Sequence, residues 1–155
     1  MGTPLINPGG FDAMPGITEA VYGSSRTFLA DNSHLATEGA IVVSDSVDDE
    51  QPAGSQHKLR GGKVLVRVEA GPDLGKFVDL NHASAPLDAD IRKVGILYGD
   101  VNMLKGDGTT NKENKQARVV VHGFVVDASL LWGAGVAPAR KTACRNIAKL
   151  IDFKL

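Results

Sequence analysis

Sulfur cross-linking is absent from this sequence: its one cysteine, Cys144, has no partner among the 155 residues, so no internal disulfide can form. Excess charge is also missing. Lys and Arg number 17 against 18 Asp and Glu, which excludes the global basic field that drives nucleic-acid binding. No stretch approaches the ~18 apolar residues of a membrane span. The opening "MGTPLINPGGFDAMPG" has neither the basic start nor the apolar core of a secretory signal. Its Met-Gly beginning has Ile6 where a myristoylation motif has Ser or Thr. These absences predict a protein made and used without secretion through the usual signal and without a membrane partner. Aromatics are scarce as well, at 5% of residues.

Glycine is abundant, 18 residues, a balance that suits strands and turns better than long helices. A chain of this length can bury one sizeable core. Pro4, Pro8 and Pro15 fall in the first 16 residues and exclude both a helix and a central strand there. Residues 1–21 therefore read as an extended arm. Leu5, Ile6, Phe11, Met14 and Ile17 are spaced through it, and a purely solvated linker has no need of them, so they call for a partner surface. Residues 22–58 extend the arm. Two apolar runs, 27–30 and 40–43, are expected as short strands separated by turn-forming Asp31, Asn32 and Ser33. The segment "SDSVDDEQPAGSQHKLRGG" then reads as an exposed, solvated acidic loop that turns basic at Lys58 and Arg60.

Residues 59–155 read as a β-rich domain. In "KVLVRVEAG", Val64, Val66 and Val68 alternate with Lys63, Leu65, Arg67 and Glu69 at the period of a half-buried strand. A Gly-Pro-Asp turn leads to "GKFVDL", which makes a hairpin. "KVGILYGDV" gives a third strand with Gly95 as a possible bulge, and "KGDGTTNKENKQ" a polar loop. In "VVVHGFVVDASLLW", residues 119–132, both faces are largely apolar, as in a strand buried on both sides. The tail switches period. Pro138 suits a first helical turn, and Ala143, Cys144, Ile147, Ala148 and Ile151 recur at helical spacing, before "IDFKL" alternates like a last strand. The expected fold is mainly β, a β-rich α+β domain with one C-terminal helix and an extended N-terminal arm.

No pattern for chemistry stands out. None of the four histidines has a second histidine or cysteine at zinc-site spacing, so no metal is expected. "GPDLGKF" lacks the length and the Ser or Thr of a phosphate loop, and "DGTTNKEN" has its glycine misplaced for a calcium loop. His122 on its valine strand is the sharpest candidate base, with Asp79 or Asp127 as a partner in a hydrolase reading. The bland reading is a core or interface histidine with a satisfied ring. Trp132, with Leu130 and Leu131 before it, packs either under the helix or in a subunit interface, as does Phe124. Catalytic residues and cofactors are expected to be none.

The order of parts carries a resemblance: "RGGKVLVRVEAG", "GKFVDL", "KVGILYGDV", a polar loop, "ARVVVHGFVVDASLLW", then a helix ending in "IAKLIDF". Together, over residues 59–155, they resemble the head decoration protein family of tailed bacteriophages, the lambda protein D type. The resemblance implies a small β-rich protein that assembles as a homotrimer on the outside of the expanded capsid, over local threefold sites. Its partners would be the major capsid protein and itself, with no direct nucleic acid. The arm would lie along the capsid surface and pair with capsid strands. Residues 1–58 are long for such an arm. A carbohydrate or host-surface binding module remains the alternative, although such modules display several exposed aromatics.

Overall fold

Alternating valines and glycine-bounded turns produce strands almost wherever the sequence supplies them. A computed structural model describes residues 28–154, so the arm expected over residues 1–21, with Leu5, Ile6, Phe11, Met14 and Ile17, lies outside the described residues. Among the described residues, eight strands and one α-helix follow in chain order: β1 (Leu29–Val42), β2 (Lys58–Leu59), β3 (Val64–Arg67), β4 (Phe77–Asp79), β5 (Val94–Leu97), β6 (Val101–Asn102), β7 (Lys115–Val126), α1 (Pro138–Ile147) and β8 (Ile151–Lys154). The chain is β-rich with one C-terminal helix, as its composition and periodicities imply.

The main sheet runs β1-β4-β3-β5-β7-β8, and β1 also pairs with β7, so its first five members close into a small barrel. β3 forms a hairpin with β4 and also pairs antiparallel with β5, which follows β4 in the chain. The two sides of the closure differ. β1 and β7 pair along most of their length, from Leu29↔Val125 to Val42↔Lys115. β1 and β4 meet in parallel at the single pair Val42↔Phe77, supported by a Val43 N–H donating to the Phe77 carbonyl at 3.0 Å. β8 returns parallel to β7 after α1, completing the β-α-β end. Pro138 stands in the first turn of α1, where its missing N–H costs nothing, and Cys144 is the helix residue it buries.

Successive residues of the barrel strands feed two apolar clusters, as a two-residue period requires. Val64, Val66, Val78, Val94, Ile96 and Val120 join the cluster that also holds Trp132, Cys144 and Ile151. Leu65, Phe77, Leu97 and Val119 point the other way, into a smaller cluster closed by Leu59 and Met103.

Several local expectations change. The runs at 27–30 and 40–43 are not two short strands: residues 29–42 form one 14-residue strand. The turn-forming residues at 31–33 are absorbed by register shifts between Leu29 and Thr37, with His34 at a φ of 59°. A continuous partner, β7, outweighs local turn propensity there. β1 thus belongs to the barrel and not to the arm. Gly95 makes no bulge, since it pairs in register with Leu65. It is glycine because a Cβ there would stand 2.8 Å from the Val119 Cβ. β3 is buried on both faces, Val64 and Val66 on one and Leu65 on the other, and not half-buried; Lys63, just before it, is buried too. Nor is the acidic segment a solvated loop, because Ser46 and Asp48 are fully buried.

Candidate functional site

Residues 122–132 act as three separate groups in the fold. Trp132 is buried, its ring stacked on Phe153 at a centroid distance of 6.3 Å. The Arg145 guanidinium lies 4.8 Å from the Trp132 centroid, and the same side chain grips Asp127 through Nε at 3.0 Å and Nη2 at 2.9 Å. Trp132 and Leu130 are therefore core residues beneath α1, which leaves Trp132 no surface to offer as a subunit anchor. Leu131, half-buried, works through its backbone: its carbonyl accepts from Val64 N–H and its N–H donates to Gly62, each at 3.0 Å.

His122 and Phe124 stand on the outer face of β7. His122 is exposed, so it is not a core histidine. The cause is topological: β1 and β8 take both edges of β7 here, and among the described residues no layer covers this face. Phe124 is half-buried, with the His34 ring edge-on at 6.2 Å and the Lys154 ammonium 5.0 Å above it. Neither expected partner serves His122. Asp79 is buried and accepts from the Val47 and Asn81 N–H groups at 3.0 Å, while Asp127 is held by Arg145. The His–Asp pair of the hydrolase reading is not assembled.

The most concentrated electrostatics lie in the acidic segment instead. The Lys63 ammonium, fully buried, sits 3.1 Å from Asp49 Oδ1 and 3.8 Å from Asp48 Oδ1. Arg60 holds Asp48 bidentately, Nε at 2.6 Å and Nη2 at 3.1 Å. Asp49 also accepts from Asn81 Nδ2 at 2.6 Å and from the Ala134 N–H at 3.1 Å, and Glu50 accepts from the Gly133 N–H at 2.8 Å. Four segments are tied at one end of the barrel: the acidic segment, the start of β3, the turn after β4, and the loop after Trp132. Buried charges are tolerated only when paired in this way.

The ionisation of the cluster follows its surroundings. Burial pushes the Asp79 carboxyl up. Burial also opposes ionisation of Asp49, yet hydrogen bonds from Asn81 and Lys63 and the Lys63 charge leave that carboxyl lowered. Outside the cluster, the His82 hydrogen bond, 2.7 Å from Nε2 to Oδ1, lowers Asp45. Burial raises the Cys144 thiol to about 11, which makes it an inert packing group. Sequence reading missed Lys63, Asp48 and Asp49. The available signal was a lysine at the head of an apolar run, with two carboxylates upstream to neutralise it.

Among the described residues no group of three or more His, Cys, Asp or Glu side chains is placed to hold a metal ion, and no helix is long and apolar enough to cross a membrane. No family model, no curated protein and no solved structure matches this chain.

Proposed function

We propose that this protein decorates the outer surface of an expanded bacteriophage capsid, bound as a trimer at local threefold sites, and strengthens the shell against internal DNA pressure. The observation that carries the reading is the order of parts: the strands of the segments that resemble the head decoration family are neighbours in one sheet, β4-β3-β5-β7-β8, and the N-terminal segment leads into β1 beside them. A decoration protein acts by burial and bridging. Separating capsid subunits beneath a bound trimer would expose surface that the trimer covers, and an interface of ~1,600 Å² is typical of such specific contacts.

The proposed division of labour is simple. Leu5, Ile6, Phe11, Met14 and Ile17 anchor the N-terminal segment on the major capsid protein, with backbone hydrogen bonds to capsid strands setting register. Each ordered residue costs ~1 to 2 kcal/mol, so one segment binds weakly and three on a trimer bind well by effective concentration. His122 and Phe124, on the uncovered face of β7, are the trimer-contact candidates that remain on the surface. The sugar-binding alternative has less support, since none of the six aromatics among the described residues is in the open: Phe28, Phe77 and Trp132 are buried, and Tyr98, Phe124 and Phe153 are partly so.

Cosedimentation with undecorated capsids tests the reading. The full chain should saturate expanded shells and leave compact procapsids bare. Replacing Leu5, Ile6, Phe11, Met14 and Ile17 together by serine should abolish binding without changing the fold. Equal binding to both shells, or none to either, would refute it.

A further inference from the structure

The barrel is closed unequally, and the weak side is a groove. Because β1 meets β4 at one residue pair, its edge over residues 38–41 has no strand beside it among the described residues. A groove of about 660 Å³ opens there, between residues 38–41 and the β3–β4 turn. Its floor includes Phe77 and Ala40, and Ile41 and Leu74 flank it. These two are among the five large apolar side chains that stand exposed in the described residues, at 44% and 63%. An open strand edge beside exposed apolar side chains is a template for one more strand. Among its charged lining residues, Arg67, Lys76 and Lys93 outnumber Glu38. All three cations are already ion-paired, Arg67 through Nε and Nη2 with Glu69, Lys76 with Asp73 and Lys93 with Glu38, but none of these pairs uses every donor, so each cation retains donors for a further carboxylate.

We propose that this groove accepts an added strand, and that its occupant in the free protein is the N-terminal segment of the same chain. Residues 1–27 precede β1, and at ~3.3 Å per residue they reach up to ~90 Å, against ~40 Å for the length of β1 itself. Turn-forming Gly23, Ser24 and Ser25 lie just ahead of β1, where the chain would have to reverse. Between Pro8 and Pro15 stand six residues, "GGFDAM", that retain their N–H groups, enough to pair with the four open residues of β1. The first 25 residues carry only Asp12 and Glu19 as charged side chains, both acidic, and their carboxylates suit the donors that Arg67, Lys76 and Lys93 keep beyond their own ion pairs. Tethering makes the same chain the favoured source, because a covalent linker supplies ~mM effective concentration. In the free protein this covers an edge that would otherwise pair with other chains. On the shell, capsid strands would compete for the same segment.

The test uses the full chain without capsids, so it succeeds or fails independently of the capsid reading. A nitroxide label is placed by Phe11→Cys, with buried Cys144 unreactive. The amide signals of residues 38–41 and 74–77 should lose most of their intensity, while those of residues 85–92, around Leu87, an apolar side chain more exposed than Ile41 or Leu74, keep theirs. Mixing labelled but NMR-silent chains with unlabelled isotope-enriched chains should leave every signal intact. Adding Asp12→Lys and Glu19→Lys to the labelled chain should restore the groove signals. No selective loss, equal loss in the mixed sample, or loss that survives the charge reversal would overturn the proposal.

Discussion

Lys63→Met tests whether the buried ion cluster holds this end of the barrel. Methionine roughly conserves volume and removes only the charge, so the change isolates electrostatics from packing. Lys63 faces Asp49 at 3.1 Å and Asp48 at 3.8 Å, and the ammonium and Asp48 are fully buried. Removing one partner of a buried pair generally costs ~3–5 kcal/mol, because the other charge is left desolvated. Here the remaining carboxylates retain donors: Asp48 keeps both Arg60 contacts, and Asp49 keeps Asn81 and the Ala134 N–H. The lower end therefore applies, ~3 kcal/mol, which lowers Tm by ~6–12 °C for a chain of this size. Urea unfolding with an unchanged slope would measure it. Lys63→Met with Asp49→Asn should cost less than the sum of the two single changes, because they share one contact. A Lys63→Met protein within ~0.5 kcal/mol of the parent, or strict additivity in the double variant, would refute the reasoning.

Two further changes probe packing and ionisation. Gly95→Ala should destabilise by ~2–3 kcal/mol in equilibrium unfolding, since the new methyl meets the Cβ of Val119 at 2.8 Å and a backbone-linked carbon cannot swing aside. Asp45 has a folded pKa below its ordinary value of 3.8, so the stability it contributes is present above pH 3.8 and lost as pH falls below that through the lowered value. Asp45→Ala should accordingly flatten the acid limb of a Tm–pH curve, and an unchanged limb would show that the His82 contact carries no stability.

The valine alternation in 63–69, the Gly-Pro-Asp hairpin and the Pro138 helix start were legible because each depends on residues adjacent in sequence. Gly95 was visible as unusual, but its reason lies 24 positions away, in Val119. The turn residues at 31–33 misled because β7, far along the chain, carries β1 through them. His122 misled in the opposite sense: its neighbours were apolar enough for a core strand, but among the described residues no layer packs on its side of β7. Lys63, Asp48 and Asp49 were readable only as charges. Their meeting depends on where the barrel brings the acidic segment, the start of β3 and the loop after Trp132.

By itself the sequence determined the class of fold, one terminal helix followed by a strand, the absence of an internal disulfide, and an N-terminal segment too rich in proline to join the body as a central strand. Those follow from periodicity and backbone chemistry, which act over a few residues. Tertiary structure decided that the barrel closes tightly through β1 and β7 and barely through β1 and β4, that Trp132 turns inward while His122 stays outside, and that three acidic side chains meet two cations at one end. Each is a long-range pairing, settled by which surfaces the barrel can bury together and which edges it must leave open.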